Sequence, residues 1–101
     1  MDREFQKYGL SSQVLEEITT LARKSQLDAV FLFGSRARGD YHKRSDIDLA
    51  ISGGNITQFT LDIQEVPHTL LSFDIVNLNT PVDEGLRESI LQEGICIYEK
   101  I

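Results

Sequence analysis

The run Gly34-Ser35-Arg36-Ala37-Arg38-Gly39, followed by Ser45-Asp46-Ile47-Asp48-Leu49, has residue types and spacing suited to chemistry. A Gly-Ser turn closes an apolar stretch, and ten residues separate Ser35 from Asp46. Asp46 and Asp48 stand at i and i+2, so on a strand they share one face. A turn of small residues can hold phosphate, and a carboxylate pair can hold Mg2+. Together they are the minimum for binding a nucleoside triphosphate for chemistry. Asp74 sits between Phe73 and Ile75 in a later apolar stretch and is the third candidate carboxylate.

Three clustered carboxylates repel one another, and a divalent cation relieves that repulsion. Hard oxygen ligands suit Mg2+, which also takes phosphate oxygens and water. In a two-metal arrangement one ion holds the triphosphate and the other activates the attacking oxygen. Asp46 and Asp48 would bridge the ions, and Asp74 would complete the second and accept a proton. Gly34 lets backbone approach phosphate closely, and Ser35 offers its hydroxyl and N–H. Arg36 or Arg38 can neutralise triphosphate charge, although an arginine on the turn after Ser35 can also point to solvent.

Each part has a plainer reading. An Asp-x-Asp at a strand start can be a solvated edge, and a Gly-Ser turn is ordinary. Asp74 could be paired with an arginine. Asp40 reads as a turn former, His42 and His68 as loop residues, and Tyr8 and Tyr98 as structural. Ser45 reads as holding its loop by a local hydrogen bond.

The elements that must position these residues follow from periodicity. Residues 1–9 read as a loosely attached tail, and residues 10–101 as one domain. Leu10, Val14, Leu15, Ile18, Leu21 and Ala22 keep helical spacing. Asp28 to Phe33 reads as a buried strand, residues 36–39 as one helical turn, and Asp46 to Ile51 as a second strand. Ile56, Phe59, Ile63 and Val66 predict a short helix stopped by Pro67, before a third strand over Leu70 to Val76. Thr80 and Pro81 open the last helix as N-cap and first helical residue, and Gly94 ends it before a strand over Ile95 to Tyr98. This order predicts an α+β (α/β layered) fold, with a mixed sheet of four strands and helices packed on one face. The link between the first two strands is short for a parallel crossover, so they are expected to be antiparallel. That pairing places Gly34-Ser35 beside Asp46.

At 101 residues the chain supports a single modest core. Its longest apolar run, Ala29 to Phe33, is too short to span a bilayer, and the N-terminus lacks a signal-peptide pattern. Cys96 is the only cysteine, so no intrachain disulfide is possible. Its flanks Ile95 and Ile97 suggest a buried thiol in a reducing, cytoplasmic compartment. A net charge of −6 argues against general attraction to nucleic acid or membrane. Yet Arg36, Arg38, Lys43 and Arg44 concentrate positive charge between Ser35 and Asp46, a distribution suited to a small polyanion or otherwise a solvated loop.

The composite of Gly34-Ser35, ten residues, Asp46-x-Asp48 and the later Asp74 resembles the DNA polymerase beta-like nucleotidyltransferase superfamily. The fuller run from Phe33 to Leu49 resembles its minimal, antitoxin-like branch, small prokaryotic enzymes often paired with a helical HEPN partner. The motif covers residues 33–49, and the element order covers residues 10–98. The resemblance implies a palm-like fold. It also implies transfer of NMP from an NTP, usually ATP, with release of pyrophosphate. The acceptor would be a hydroxyl on the partner, often a tyrosine. Asp46, Asp48 and Asp74 would be catalytic and metal-binding, and Gly34, Ser35, Arg36 and Arg38 nucleotide-binding. Little chain remains after the fourth strand to build an acceptor site, so the acceptor is expected from another chain. Two further readings stay open: an inactive binding module that assembles with a helical partner, and a small-molecule nucleotidyltransferase.

Overall fold

The computed structural model describes residues 7–66 and 69–100. Pro67, expected to stop a helix, His68, expected in a loop, and the first six residues of the expected tail lie outside the described residues. Helix α1 (Ser12–Lys24) starts where the Ser11 side chain accepts from the Val14 N–H, and Arg23 and Lys24 in its last turn oppose the helix dipole. Strand β1 (Ala29–Phe33) runs into a one-turn helix α2 (Gly34–Arg38), which Gly39 ends in the left-handed conformation. Strand β2 (Ile47–Ser52) follows a polar loop, and α3 (Ile56–Ile63) is capped by Asn55. Strand β3 (Phe73–Asn77), helix α4 (Glu84–Glu93) and strand β4 (Ile95–Glu99) complete the fold.

The sheet order is β3-β2-β1-β4. Strand β1 is antiparallel to both β2 and β4, whereas β2 and β3 are parallel. The expected antiparallel first pair and mixed sheet are therefore present. Side-chain alternation divides the sheet between two apolar clusters. Val30, Leu32, Ile47, Leu49, Ile51 and Phe73 face α1 and α3, whose Val14, Ile18, Phe59 and Ile63 complete the main core. Phe31, Phe33, Ala50 and Val76 face the other way and meet Leu86 and Ile90 of α4. Helices thus lie on both faces, not one, because Phe31 and Phe33 of β1 point away from the main core and also need cover.

Strands β1, β2 and β4 differ from expectation by one residue at one end or both, the one-turn helix spans 34–38 rather than 36–39, and larger shifts fall at α4 and β3. Helix α4 begins at Glu84, with the Asp83 carboxylate accepting from the Leu86 N–H. Thr80 instead donates its hydroxyl to the Asn77 carbonyl and closes the turn after β3. Strand β3 starts at Phe73 rather than Leu70, and Leu70 is fully exposed. Residues 7–9 are not loose, because the Arg36 and Tyr41 side chains bond to their carbonyls.

Cys96 is exposed, contrary to expectation. Its neighbours Ile95 and Ile97 pack on the main core, so strand alternation turns the thiol between them to the opposite face. Among the described residues no helix is long and apolar enough to cross a membrane.

The core predicts its own weak points. Ile18 is wholly buried and Leu91 is 78% exposed. Ile18→Ala is expected to cost about 2–5 kcal/mol of unfolding free energy in urea, and Leu91→Ala less than about 0.5 kcal/mol. Equal midpoints for the two variants would contradict this packing.

Candidate active site

Strand β1 delivers Gly34 and Ser35 to one end of the sheet, and antiparallel pairing brings the start of β2 to the same end. Phe33 is opposite Asp48 in that register. Gly34 has φ +76°, which L side chains rarely adopt, and a Cβ there would run into the Asp48 carboxylate. Glycine is thus required by both conformation and space. Ser35 follows in the first turn of α2, whose N–H groups have no partner within the helix. Its own carbonyl closes the turn by accepting from the Gly39 and Asp40 N–H groups, at 2.9 and 3.1 Å.

The parallel pairing of β2 with β3 sets Asp48 directly against Asp74. Asp46, two residues before Asp48, precedes the strand and adds its charge at Asp48. Asp46 and Asp74 are exposed and Asp48 is half-buried. Partial burial, then the charges of Asp74 and Asp46, push the Asp48 carboxyl above the usual carboxylate range, while Arg38 and Arg36 pull it down. The face therefore carries uncompensated negative charge beside a turn able to receive phosphate.

The two candidate arginines part company. Arg38 is exposed at the rim of the site and pairs with Asp40 and Glu93, each at 3.3 Å. Such exposed pairs hold weakly, so Arg38 can turn toward an incoming anion. Arg36 is only 2% exposed. Its guanidinium donates to the carbonyls of Tyr8, Gly9, Lys43 and Ser45 and lies over the Tyr41 ring. The expectation that Arg36 meets phosphate or solvent is corrected: every direction in which the fork can donate is turned toward main-chain carbonyls. Ser45 holds its loop as expected, its hydroxyl accepting from the His42 N–H at 2.8 Å. Sequence reasoning missed Glu93, which α4 carries to Arg38, and Tyr41, whose one signal was an aromatic ring in a polar loop.

The resemblance carried by the motif implies Mg2+ as cofactor. Among the described residues, no group of three or more His, Cys, Asp or Glu side chains stands close enough to hold a metal ion. The donor chemistry nevertheless fits: the candidates are hard carboxylates, Asp48 and Asp74 are in register on adjacent strands, and burial, then the charges of Asp74 and Asp46, raise Asp48. A groove of about 490 Å³ lies elsewhere, between α1 and α3, and includes none of these residues.

A mixed sheet carrying a Gly-Ser turn beside in-register carboxylates has the layout of a nucleotidyltransferase. Residues 16–101 match the Polymerase beta, Nucleotidyltransferase family, and the chain belongs to it. It is similar to a Methanocaldococcus jannaschii protein named as a protein adenylyltransferase, with 29% identity over 84 residues, 74% of this chain and 82% of that protein. A second protein of that organism, named in the same way, is 53% identical over 36 residues, 36% of this chain and 35% of its own. The fold is shared with a chain of a toxin–antitoxin crystal structure with AMP-PNP (TM-score 0.68, 21% identity, 85% of this chain and 73% of that one). It is also shared with a chain from a tri-AMPylated Shewanella oneidensis HEPN toxin in complex with MNT antitoxin (TM-score 0.60, 20% identity, 86% and 71%).

The raised Asp48 carboxyl predicts a pH effect in metal-free buffer. The unfolded carboxyl titrates near pH 4 and the folded one higher. Between those values the folded state binds more protons, so stability falls as pH rises through the window. Asp48→Asn is expected to raise Tm at pH 7 and to lose that gain below about pH 4. Melts in chelator check this, and an equal gain at both pH values would contradict it.

Proposed function

We propose that this chain is a Mg2+-dependent nucleotidyltransferase that transfers AMP from ATP to a hydroxyl on a helical, HEPN-type partner protein. The observation that carries the reading is the Asp48–Asp74 pair, in register on adjacent strands, beside the Gly34-Ser35 turn. The protein adenylyltransferase name of the relatives and the AMPylated toxin in a complex of like fold support the acceptor class. ATP as donor and the single cysteine accord with a cytoplasmic location.

Asp46, Asp48 and Asp74 would hold magnesium, which when bound neutralises triphosphate charge and favours deprotonation of the acceptor hydroxyl. Gly34 admits the phosphate close to the backbone. Ser35 donates its hydroxyl and N–H to a phosphate oxygen, and Arg38 exchanges Asp40 and Glu93 for the triphosphate. Asp74, itself exposed, accepts the acceptor's proton. The acceptor oxygen bonds to the α-phosphorus as the bond to the bridging oxygen of pyrophosphate breaks. AMP remains on the acceptor and pyrophosphate leaves. Holding acceptor and α-phosphate in line is a large part of such catalysis, and the partner's docked surface supplies that alignment.

The test is incubation with labelled ATP and Mg2+, with and without a co-purified helical partner. Label on the partner is expected, with its loss in chelator. Asp46→Asn or Asp48→Asn should lower labelling by about 100-fold or more while the fold is kept. Tight association without label would favour the binding module, and label on free small molecules alone would favour the small-molecule enzyme. Ser35→Ala should weaken ATP use by roughly 1.5–3 kcal/mol, one hydrogen bond to a charged group, as read in kcat/KM. Parent-like activity would mean that the turn acts through its backbone alone.

A further inference from the structure

Arg36 follows Ser35 in the chain, yet its guanidinium reaches the peptide that carries Asp46. The Ser45 carbonyl accepts from both Nε and Nη2, at 3.3 and 2.9 Å. Nη2 also meets the Lys43 carbonyl at 3.5 Å. On the other side of Asp46, the Ile47 N–H donates to the Ser72 carbonyl of the segment entering β3, at 2.9 Å. The backbone of Asp46 is thereby held from both sides, by the phosphate turn on one and by the approach to Asp74 on the other.

The remaining nitrogen is closed off by the N-terminal segment. Nη1 donates to the Tyr8 and Gly9 carbonyls, at 3.1 and 3.2 Å. Gly9 has φ +75°, and a Cβ there would strike Nη1 and the Tyr41 ring. Tyr41 lies 4.8 Å from the guanidinium and donates its hydroxyl to the Lys7 carbonyl at 3.1 Å. A buried cation is costly unless its donors are satisfied. Here four carbonyls and a ring face satisfy it, in the planar fork that arginine has and lysine lacks.

We propose that Arg36, sealed by residues 7–9 and Tyr41, is a positioning residue that fixes Asp46 at a set distance from Ser35. Its target is the transfer reaction proposed above, on which the kinetic part of the test rests. Removing the fork frees the Ser45–Asp46 peptide while leaving both apolar clusters in place.

The first readout uses the full chain without nucleotide or metal. Hydrogen–deuterium exchange in Arg36→Lys is expected to speed up by about tenfold or more at the His42, Ser45 and Ile47 amides, with β4 unchanged. Unchanged protection there, or equal acceleration across the sheet, overturns the proposal. The second readout is steady-state transfer with ATP and Mg2+. Arg36→Lys is expected to lower kcat about 10- to 100-fold, because a misplaced group costs on that scale, with the KM for ATP little changed. A higher KM at parent-like kcat would mark direct nucleotide contact and overturn it. If Arg36→Lys does not fold, Tyr41→Phe keeps the ring and deletes the bond to Lys7. It is expected to show both effects at a few-fold, and parent-like values in both overturn the proposal. If the parent transfers nothing, the functional reading fails, and exchange alone decides whether Arg36 positions Asp46.

Discussion

Two carboxylates held side by side by a parallel strand register set the terms for the rest of this structure. Asp48 and Asp74 are direct neighbours across β2 and β3, with Asp46 close enough to add to the field at Asp48. They cannot escape by a slip of register. Ile47 and Leu49 beside them are buried in the main core, and a shift of one residue would turn those side chains out of it to the opposite face. Burial of each such side chain contributes about 1.5–3 kcal/mol, against about 1 kcal/mol for two solvated like charges at contact distance. The apolar face therefore holds a charge arrangement that the polar face alone would not keep.

The second face of the sheet is divided along its length. Helix α4 covers Phe31, Phe33, Ala50 and Val76 and leaves the end bearing the carboxylates open. Its last residues reach back to the site, where Glu93 meets Arg38. One helix thus completes a minor core and supplies an anion that competes for the exposed arginine.

Arginines two residues apart are put to opposite uses by this architecture. Arg38 is exposed, weakly paired and able to change partner. Arg36 is buried, and desolvation lowers its pKa despite the neighbouring Asp48. Its charge is held by carbonyls from two distant parts of the chain. The first turn of α2 points one side chain out over the rim and the other back beneath the loop that ends at Asp46. Gly9 belongs to this arrangement as much as Gly34 belongs to the turn before Ser35, since each yields space to a charged group.

Local pattern was enough to read most of the chain. Period-two alternation set Asp46 and Asp48 on one face, and the apolar run around Asp74 identified a strand. The short link after Gly34-Ser35 required an antiparallel pair. The family resemblance rested on the same residues. Helix α1 was legible because its apolar spacing, cap and basic end agree. The start of α4 was not, since Thr80-Pro81 and Asp83 both offer caps and only the turn after β3 decides between them. Cys96 was misread because flanking isoleucines in a strand bury the opposite face. The uses of Arg36, Tyr41 and Gly9 could not be read locally, for their partners lie up to 34 residues apart in sequence. Side-chain type and spacing determine which chemistry is available. Only the tertiary structure decides which charges are buried, because burial depends on what the rest of the chain brings over them.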